Sequence, residues 1–313
     1  MKKIFLIMLL LTVLVSMLLA EKWIYEMENI TIPVGEGEDE LYVYDSPDHL
    51  EDAPDYGPKK LALDGADNLY IANLNKKNEL LIKKFDLNGC YLCSMRSNDG
   101  IADFMFCDNK LYVLKTKAIN TIDRIFYLHV FSNEFVLIDS LILQNEIIAI
   151  GNKLISNNQG EIGVTKGCSF EKIGLEKKKA VILEDSELFE NITVNYDWRK
   201  KERIVFFKDT NKEVNLYELW DVSYHNFLNI DKYNNMYYEL IYLKNNIETE
   251  IVILSNKGKP ISTNIHIENY ENYGLKLMWP PELFAGKDGS LYQLIPMKDR
   301  VEIRKWHKVG EEK

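Results

Sequence analysis

Two cysteines three positions apart, Cys90 and Cys93, have the spacing of a redox or zinc-binding pair. They fall in a stretch of alternating residues that predicts a β-strand, where side chains three positions apart point to opposite faces. One metal ion therefore cannot bind both thiols unless the strand is broken. The other two cysteines, Cys107 and Cys168, are isolated. We expect all four to be structural.

The segment from Arg96 to Asp103 concentrates oxygen-bearing side chains around a glycine, with Asn98 and Asp99 before it. Such a segment is a candidate for chemistry. The same residues also predict a turn between two strands, with Asp103 capping the entry of a strand. We expect the turn; the alternative, a functional site, depends on the family resemblance given below.

Two aromatic residues outside this segment are candidates for ligand contact. His225 lies beside Asn226 at the entry of a predicted strand, whereas the other four histidines are scattered singly. Trp279 precedes two prolines in a long insertion. An aromatic ring in such a loop is suited to stacking on a sugar or a partner protein, and equally to anchoring the loop by packing.

The charge balance limits the partners. The chain has 313 residues, 46% of them apolar, with 38 basic and 48 acidic side chains and a formal net charge of −10. It is too apolar to be disordered. A negative protein is a poor ligand for the phosphate backbone, so we expect no nucleic-acid partner. The acidic stretches Glu36–Glu40 and Asp48–Asp55 predict a solvated face, with cation binding as the alternative.

The first twenty residues have the layout of a secretory leader. Lys2 and Lys3 precede an apolar stretch that ends at Ala20, before Glu21. We expect residues 1–20 to be a signal peptide. An uncleaved membrane anchor through residues 4–20 is the alternative, and either would export residues 21–313 to the periplasm, the cell surface or the medium. A disulfide between two repeats is allowed in such a compartment.

A short pattern repeats along the rest of the chain with a period of about 40 residues. It consists of apolar alternation, a small polar turn, and Leu-Tyr or its equivalent opening another strand. Clear copies are Leu61–Ile71, Met105–Val113, Leu228–Tyr238 and Leu283–Tyr292; a weaker one ends at Ile155, and a degenerate one is inferred near Asn195–Trp198 and Arg203–Phe207. Hairpin signals such as Asn88-Gly89 follow the turns.

Four short antiparallel strands per repeat predict an all-β fold, a six-bladed β-propeller formed by residues 21–313 as one domain. Two β-sandwich domains side by side are the alternative. Val301–Lys308 is expected to add a strand to the last blade. An early segment, Ile30–Val34 or Leu41–Tyr44, would complete that blade and close the ring.

The repeat resembles the NHL-repeat class of six-bladed propellers, as in Asp67–Tyr70 followed by Lys84–Gly89. The resemblance covers blade-building residues and implies a fold and a binding role. The Asn-Asp-Gly segment resembles gluconolactonase-type propellers, which implies that Asn98 would bind a divalent ion in the central channel. Other parts of the family pattern differ in this chain. Glu36–Glu38 matches the early glutamate ligand of the family only loosely, and His225–Phe227 stands where the family has Asp-Gly.

We therefore expect an exported, non-catalytic propeller that serves as a scaffold for a protein, peptide or glycan, without a cofactor. The expected ligand-binding residues are Asn98, Asp99, Asp103, His225 and Trp279. The alternative is a metal-dependent lactonase or hydrolase of the same fold, with one divalent cation such as calcium.

Overall fold

The structure is a computed structural model. It describes residues 21–44, 57–58, 60–118, 124–144, 153–156, 160–166, 169–176, 179–183, 192–197, 202–219, 224–242, 248–267 and 283–312. Within these ranges the chain forms twenty-three β-strands, a 3₁₀ turn at Lys208–Thr210 and one short helix, α1, at Leu216–Leu219. The predicted all-β class is confirmed.

The first complete sheet has four antiparallel strands in chain order. They are β2 (Lys60–Leu63), β3 (Leu69–Leu74), β4 (Leu80–Phe85) and β5 (Tyr91–Ser97). Each hairpin turn contains a residue with positive φ: Asp67, Asn78 and Gly89. Aspartate, asparagine and glycine accept this conformation most readily, so these turns follow directly from the sequence.

An eight-stranded sheet follows and consists of two antiparallel meanders. The first contains β6 (Gly100–Cys107), β7 (Lys110–Ala118), β8 (Arg124–Ser132) and β9 (Leu137–Gln144); the second contains β10 (Leu154–Ser156), β11 (Ile162–Lys166), β12 (Ser169–Glu176) and β13 (Lys179–Leu183). A short parallel pairing between β9 and β13 joins them at their outer strands.

The degenerate repeat is a three-stranded sheet. It contains β14 (Ile192–Asp197), β15 (Glu202–Phe207) and β16 (Lys212–Asn215), with α1 directly after it. The strand predicted at Arg203–Phe207 is therefore present as most of β15. Its buried side chains, Val205 and Phe207, pack in a cluster with residues of the following sheet.

The second eight-stranded sheet contains both ends of the described chain. One meander is β17 (Tyr224–Ile230), β18 (Met236–Tyr242), β19 (Glu248–Leu254) and β20 (Pro260–Ile267); the other is β21 (Leu283–Ala285), β22 (Leu291–Pro296) and β23 (Arg300–Glu312), completed by β1 (Lys22–Pro33). β1 runs antiparallel to β23 along its whole length, and its first two residues also pair in parallel with β20.

The predicted completion of the last sheet by Ile30–Val34 is confirmed for Ile30 to Pro33, which belong to β1 and pair with β23. The predicted extra strand at Val301–Lys308 is confirmed within β23. Leu41 contributes differently: it forms an isolated parallel bridge with Val34 and is fully buried.

Both faces of the sheets are buried against neighbouring sheets. Along β7, Leu111 and Val113 point toward the first sheet, whereas Tyr112 and Leu114 pack with residues of β10 and β11. Apolar clusters likewise join each further meander to the next one along the chain, and join the first sheet to β1, β22 and β23. The fold is therefore propeller-like: four-stranded antiparallel sheets stack face to face, and the chain ends meet in one sheet.

The predicted leader, residues 1–20, lies outside the described residues. Among the residues that are described, no helix has the length and apolar character needed to cross a membrane.

Candidate functional site

The first strands of five meanders converge on one cavity of about 790 Å³. These strands are β2, β6, β10, β17 and β21, and the described hairpin turns after β2, β6, β17 and β21 form its rim. Each strand contributes apolar wall residues, among them Leu61, Phe104, Leu154, Leu228 and Leu283. Because each meander begins at the inside of the ring, the repeat itself places these strands around the cavity.

The turn after β2 is fastened by the carboxylate of Asp64. It accepts hydrogen bonds from the backbone N–H groups of Ala66 and Asn68, both at 2.9 Å, from the Asn68 side-chain amide at 2.9 Å and from the Tyr70 hydroxyl at 3.2 Å. The Lys84 amine lies 3.2 Å from the same carboxylate. Burial opposes ionisation of Asp64, but the hydrogen bonds from Asn68, Ala66 and Lys84 outweigh it and lower the pKa of this carboxyl group.

The turn after β17 repeats the same arrangement. The Asp231 carboxylate accepts from the N–H groups of Tyr233 and Asn235 at 2.8 and 2.9 Å, from the Asn235 amide at 2.8 Å and from the Tyr237 hydroxyl at 3.2 Å. In the turn after β21, Gly286 stands at the corresponding position. Asp288 there accepts from the hydroxyl of Ser290 at 2.7 Å. The spacing Asp-x₃-Asn-x-Tyr therefore builds the turns after β2 and β17, whereas the turn after β21 has Gly286, Ser290 and Tyr292 at these positions.

One predicted site residue, Asp103, lines the cavity. Its carboxylate is 5% exposed and accepts from the Lys60 amine at 2.8 Å and from the Leu154 backbone N–H at 2.5 Å. These partners lie on β2 and β10, so Asp103 joins the first strands of three meanders. The sequence placed Asp103 at the entry of a strand; in the structure it lies inside β6, which begins at Gly100, and its carboxylate contacts the first residue of another strand, β10.

Lys287, on the turn after β21, crosses the cavity toward β10. Its amine donates to the backbone carbonyl of Ser156 at 2.5 Å. Burial lowers the pKa of Lys287 to about 8, although the charges of Cys107 and Asp231 act in the opposite direction. Burial raises the pKa of the Cys107 thiol, which also hydrogen-bonds the side chain of Ser156. The Lys287 amine and the protonated Cys107 thiol therefore both contact Ser156 and form a polar patch on the cavity wall.

Two other predicted residues, Asn98 and Asp99, lie away from this cavity. Asn98 is exposed and Asp99 is half-buried in the turn between β5 and β6, and neither lines the cavity. The charge of Asp99 acts instead on Lys115 and His129, whose pKa values burial lowers. Their ligand-binding role stays a prediction.

Two further predicted residues have a less complete description. His225 lies in β17 and pairs with Leu240, but its side chain lies outside the description. Trp279 lies outside the described residues altogether. Contact of these two side chains with a ligand also stays a prediction.

The acidic loop that contains Glu36–Glu40 packs around the ammonium group of Lys83. The buried amine of Lys83 donates to the backbone carbonyls of Gly37 at 2.7 Å and Glu40 at 2.5 Å. Burial lowers the pKa of Lys83, and the charges of Asp39, Glu40 and Glu38 oppose this shift. The second acidic stretch, Asp48–Asp55, lies outside the described residues.

The cysteine pair is split between a turn and a strand. The strand predicted to contain both cysteines begins one residue later, at Tyr91: Cys90 is exposed immediately before β5, and Cys93 lies within β5. Both are free thiols, as is Cys107, whereas Cys168 lies outside the described residues. Over the described ranges, no three His, Cys, Asp or Glu side chains form a group that could hold a metal ion.

Lys287 and Ser156 were not predicted as site residues from the sequence. No motif marks Ser156, which is the last residue of the short strand β10. Lys287 lies in the turn Gly286–Gly289, which the repeat pattern already predicts as a turn whatever residue occupies this position. The available signal was the position itself, because a long cationic side chain directly after a first strand reaches the inside of the ring.

Comparison with known proteins gives likeness in structure only. The chain matches no protein-family model and no curated protein sequence. BamB from Moraxella catarrhalis has 9% sequence identity over 82% of this chain and 88% of its own, with a TM-score of 0.37. A gluconolactonase from Xanthomonas campestris has 7% identity over 91% and 86%, with a TM-score of 0.37.

A third solved structure is the extracellular domain of a protein assigned as a one component system from B. thetaiotaomicron. It has 12% identity over 91% of this chain, with a TM-score of 0.37, and this chain spans 40% of its length. Likenesses of this size do not transfer a function from any of these proteins.

Proposed function

We propose that this protein is an exported, six-bladed β-propeller that binds a segment of a partner, a peptide or a glycan, at the cavity without catalysing a reaction. The observation that carries the proposal is the cavity of about 790 Å³ at the convergence of five first strands. Its volume lies in the range of sites that enclose a small ligand or an anchoring side chain.

Six blades are supported by the grouping of the strands. The described strands fall into five meanders of three or four strands, β2–β5, β6–β9, β10–β13, β14–β16 and β17–β20, and a sixth, β21–β23, completed by β1. Completion of the last unit by the first strand joins the two ends of the chain, which removes an open sheet edge.

The lining of the cavity supports binding of a chemically mixed ligand. The lower walls are apolar, whereas the rim has exposed polar groups on separate turns, including Asp67, Asp108 and Asp288. Apolar walls supply affinity through burial, and a few polar groups set orientation. The acidic rim favours ligands that are neutral or basic near the cavity.

Export is supported by the leader pattern of residues 1–20, in which two lysines precede a long apolar stretch. The binding role would then be exercised outside the cytoplasm.

A binding screen with a charge-matched control tests the proposal. Peptide and glycan arrays are probed with the wild type, with Asp67→Asn/Asp108→Asn, and with Glu38→Gln/Asp39→Asn at the acidic loop. Asparagine tolerates the positive φ of both rim positions, so the first variant keeps its turns and loses two charges. We expect at least a tenfold change in affinity for the rim variant and none for the control.

Equal binding by all three proteins would overturn the cavity as the binding site. Turnover of lactones or esters by the wild type would contradict the non-catalytic role and favour the metal-dependent hydrolase.

A further inference from the structure

Lys287 is placed to react with a ligand inside the cavity. Its amine lines the wall far from its own turn, at a carbonyl group 131 positions away in the chain. The turn that carries it is fixed twice: the Lys287 carbonyl accepts from the Lys232 N–H at 2.8 Å, and the Gly289 carbonyl accepts from the Tyr25 hydroxyl at 3.3 Å. The amine is therefore held in place before a ligand arrives.

The surroundings of Lys287 leave it without a close carboxylate among the described residues. Its one hydrogen bond there goes to a neutral carbonyl group. The nearby Asp231 carboxylate is occupied by the N–H, amide and hydroxyl groups of its own turn, and Cys107 is kept protonated by burial. Asp108 and Asp288 are exposed on neighbouring turns of the rim.

We propose that Lys287 captures an aldehyde ligand in the cavity by forming a reversible imine with its carbonyl carbon. This inference rests on the proposed binding role of the cavity and names the ligand class. An anionic ligand is disfavoured because the described lining contains five aspartates and three lysines. A neutral carbonyl compound avoids that repulsion and uses the amine as a nucleophile.

The chemistry needs no additional reactant. The lone pair of the unprotonated Nζ attacks the carbonyl carbon, a C–N bond forms, and the carbonyl π pair moves to oxygen, which takes up a proton. Loss of the hydroxyl group with one proton as water then leaves a C=N bond, and nitrogen has released both of its protons. Hydrolysis reverses these steps and releases the aldehyde unchanged.

The state of the amine supports this role. An amine with a pKa of about 8 is unprotonated at pH 7 about 300-fold more often than one at the ordinary value of 10.5. Apolar walls also restrict water, which favours the imine over its hydrolysis. Lysines that form imines in enzymes are activated in the same way, by desolvation.

Reductive trapping on the full chain tests the inference. The protein is incubated at pH 7.5 with glyceraldehyde or with butanal and sodium cyanoborohydride, and modified lysines are quantified by peptide mass spectrometry. Lys257, exposed on the turn between β19 and β20, is the internal control. We expect Lys287 to be modified at least tenfold faster than Lys257. Faster labelling by glyceraldehyde indicates a sugar-derived ligand, and faster labelling by butanal an apolar one.

Equal or slower modification of Lys287 would overturn the inference, including the case in which no aldehyde reaches it. The variant Lys287→Arg keeps the positive charge and should lose only the trapped adduct at this position. If Lys287 stays unmodified while the rim charges still control array binding, the aldehyde inference fails and the proposed binding function stands. If neither result is obtained, both fail.

Discussion

Two lysines of this protein, one buried and one partly buried, are held by backbone carbonyl groups instead of carboxylates. Lys83 donates to Gly37 and Glu40, and Lys287 donates to Ser156. A carbonyl group compensates the lost hydration of an ammonium ion less completely than a carboxylate does, so burial lowers the pKa of both amines. At both positions the amine therefore has a structural role and a lowered pKa.

The pKa of Lys287 predicts a specific pH dependence of stability. In the unfolded chain the amine keeps its proton up to about pH 10.5, whereas in the folded protein it loses it near pH 8. Between these values the unfolded state binds more protons, so the free energy of unfolding rises with pH. For Lys287→Met we expect this rise to be smaller by on the order of 1–3 kcal/mol.

Urea denaturation between pH 7 and 10 measures this difference, with Lys257→Met as the control because Lys257 is exposed. Parallel pH profiles of wild type and Lys287→Met would contradict the prediction. Comparison between variants matters here, because other buried groups, Tyr237 among them, titrate abnormally and affect both proteins alike.

At the residue scale the sequence predicted what depends on local spacing. Asp64 and Asn68 are four positions apart, so their turn could be recognised directly. Lys83 and Lys287 could not be assigned, because their partners lie more than 40 positions away and only the closed ring brings them together. Asp103 was an intermediate case: it was a predicted site residue at a strand entry, but its position inside β6 and its contacts with Lys60 and Leu154 were not predicted.

At the scale of strands, two asparagine side chains replace missing backbone partners. Asn73 on β3 accepts from the Tyr42 N–H and donates to the Tyr42 carbonyl, both at 2.8 Å. Asn264 on β20 does the same for Tyr25 of β1, at 2.7 and 3.0 Å. A carboxamide offers one acceptor and one donor, so it can substitute for a peptide group at an edge.

Removal of these amides should loosen the N-terminal segment. In Asn73→Leu and Asn264→Leu, the tyrosine N–H and C=O groups lose their partners, which costs about 1–3 kcal/mol each. Asn133→Ala serves as the control, because Asn133 is exposed and offers only its backbone carbonyl to neighbours. Thermal denaturation should show lower midpoints for both leucine variants. Midpoints equal to that of the control would contradict the bridging role.

The order of the strands along the chain could be predicted from the sequence better than the pairing of strands from different repeats. Turn residues with positive φ, such as Gly89 and Gly258, identified hairpins that the structure contains. The parallel pairings of β13 with β9 and of β20 with β1 were not predicted. They join strands from separate repeats or from opposite ends of the chain, and no local turn records such a contact.

At the scale of the whole molecule, the two ends of the chain complete one sheet. β1 pairs with β23 from Lys22 to Pro33, and apolar side chains of both strands pack against the first sheet. The two chain ends are therefore joined by strand pairing, and the cavity forms where the first strands of five meanders meet. A repeat pattern could therefore predict the fold, whereas the residues that line this cavity depend on contacts between repeats; Asn98 is not among them, and its ligand-binding role stays a prediction.

Hydrogen–deuterium exchange with and without a ligand from the arrays tests most directly whether the cavity is the binding site. If the ligand binds in the cavity, it should slow amide exchange in the rim turns 64–68, 107–110, 231–235 and 286–290. The same experiment should leave the acidic loop at 35–40 and the turn at 97–99 unchanged. Slowed exchange confined to those two segments, with the rim turns unaffected, would contradict the central claim.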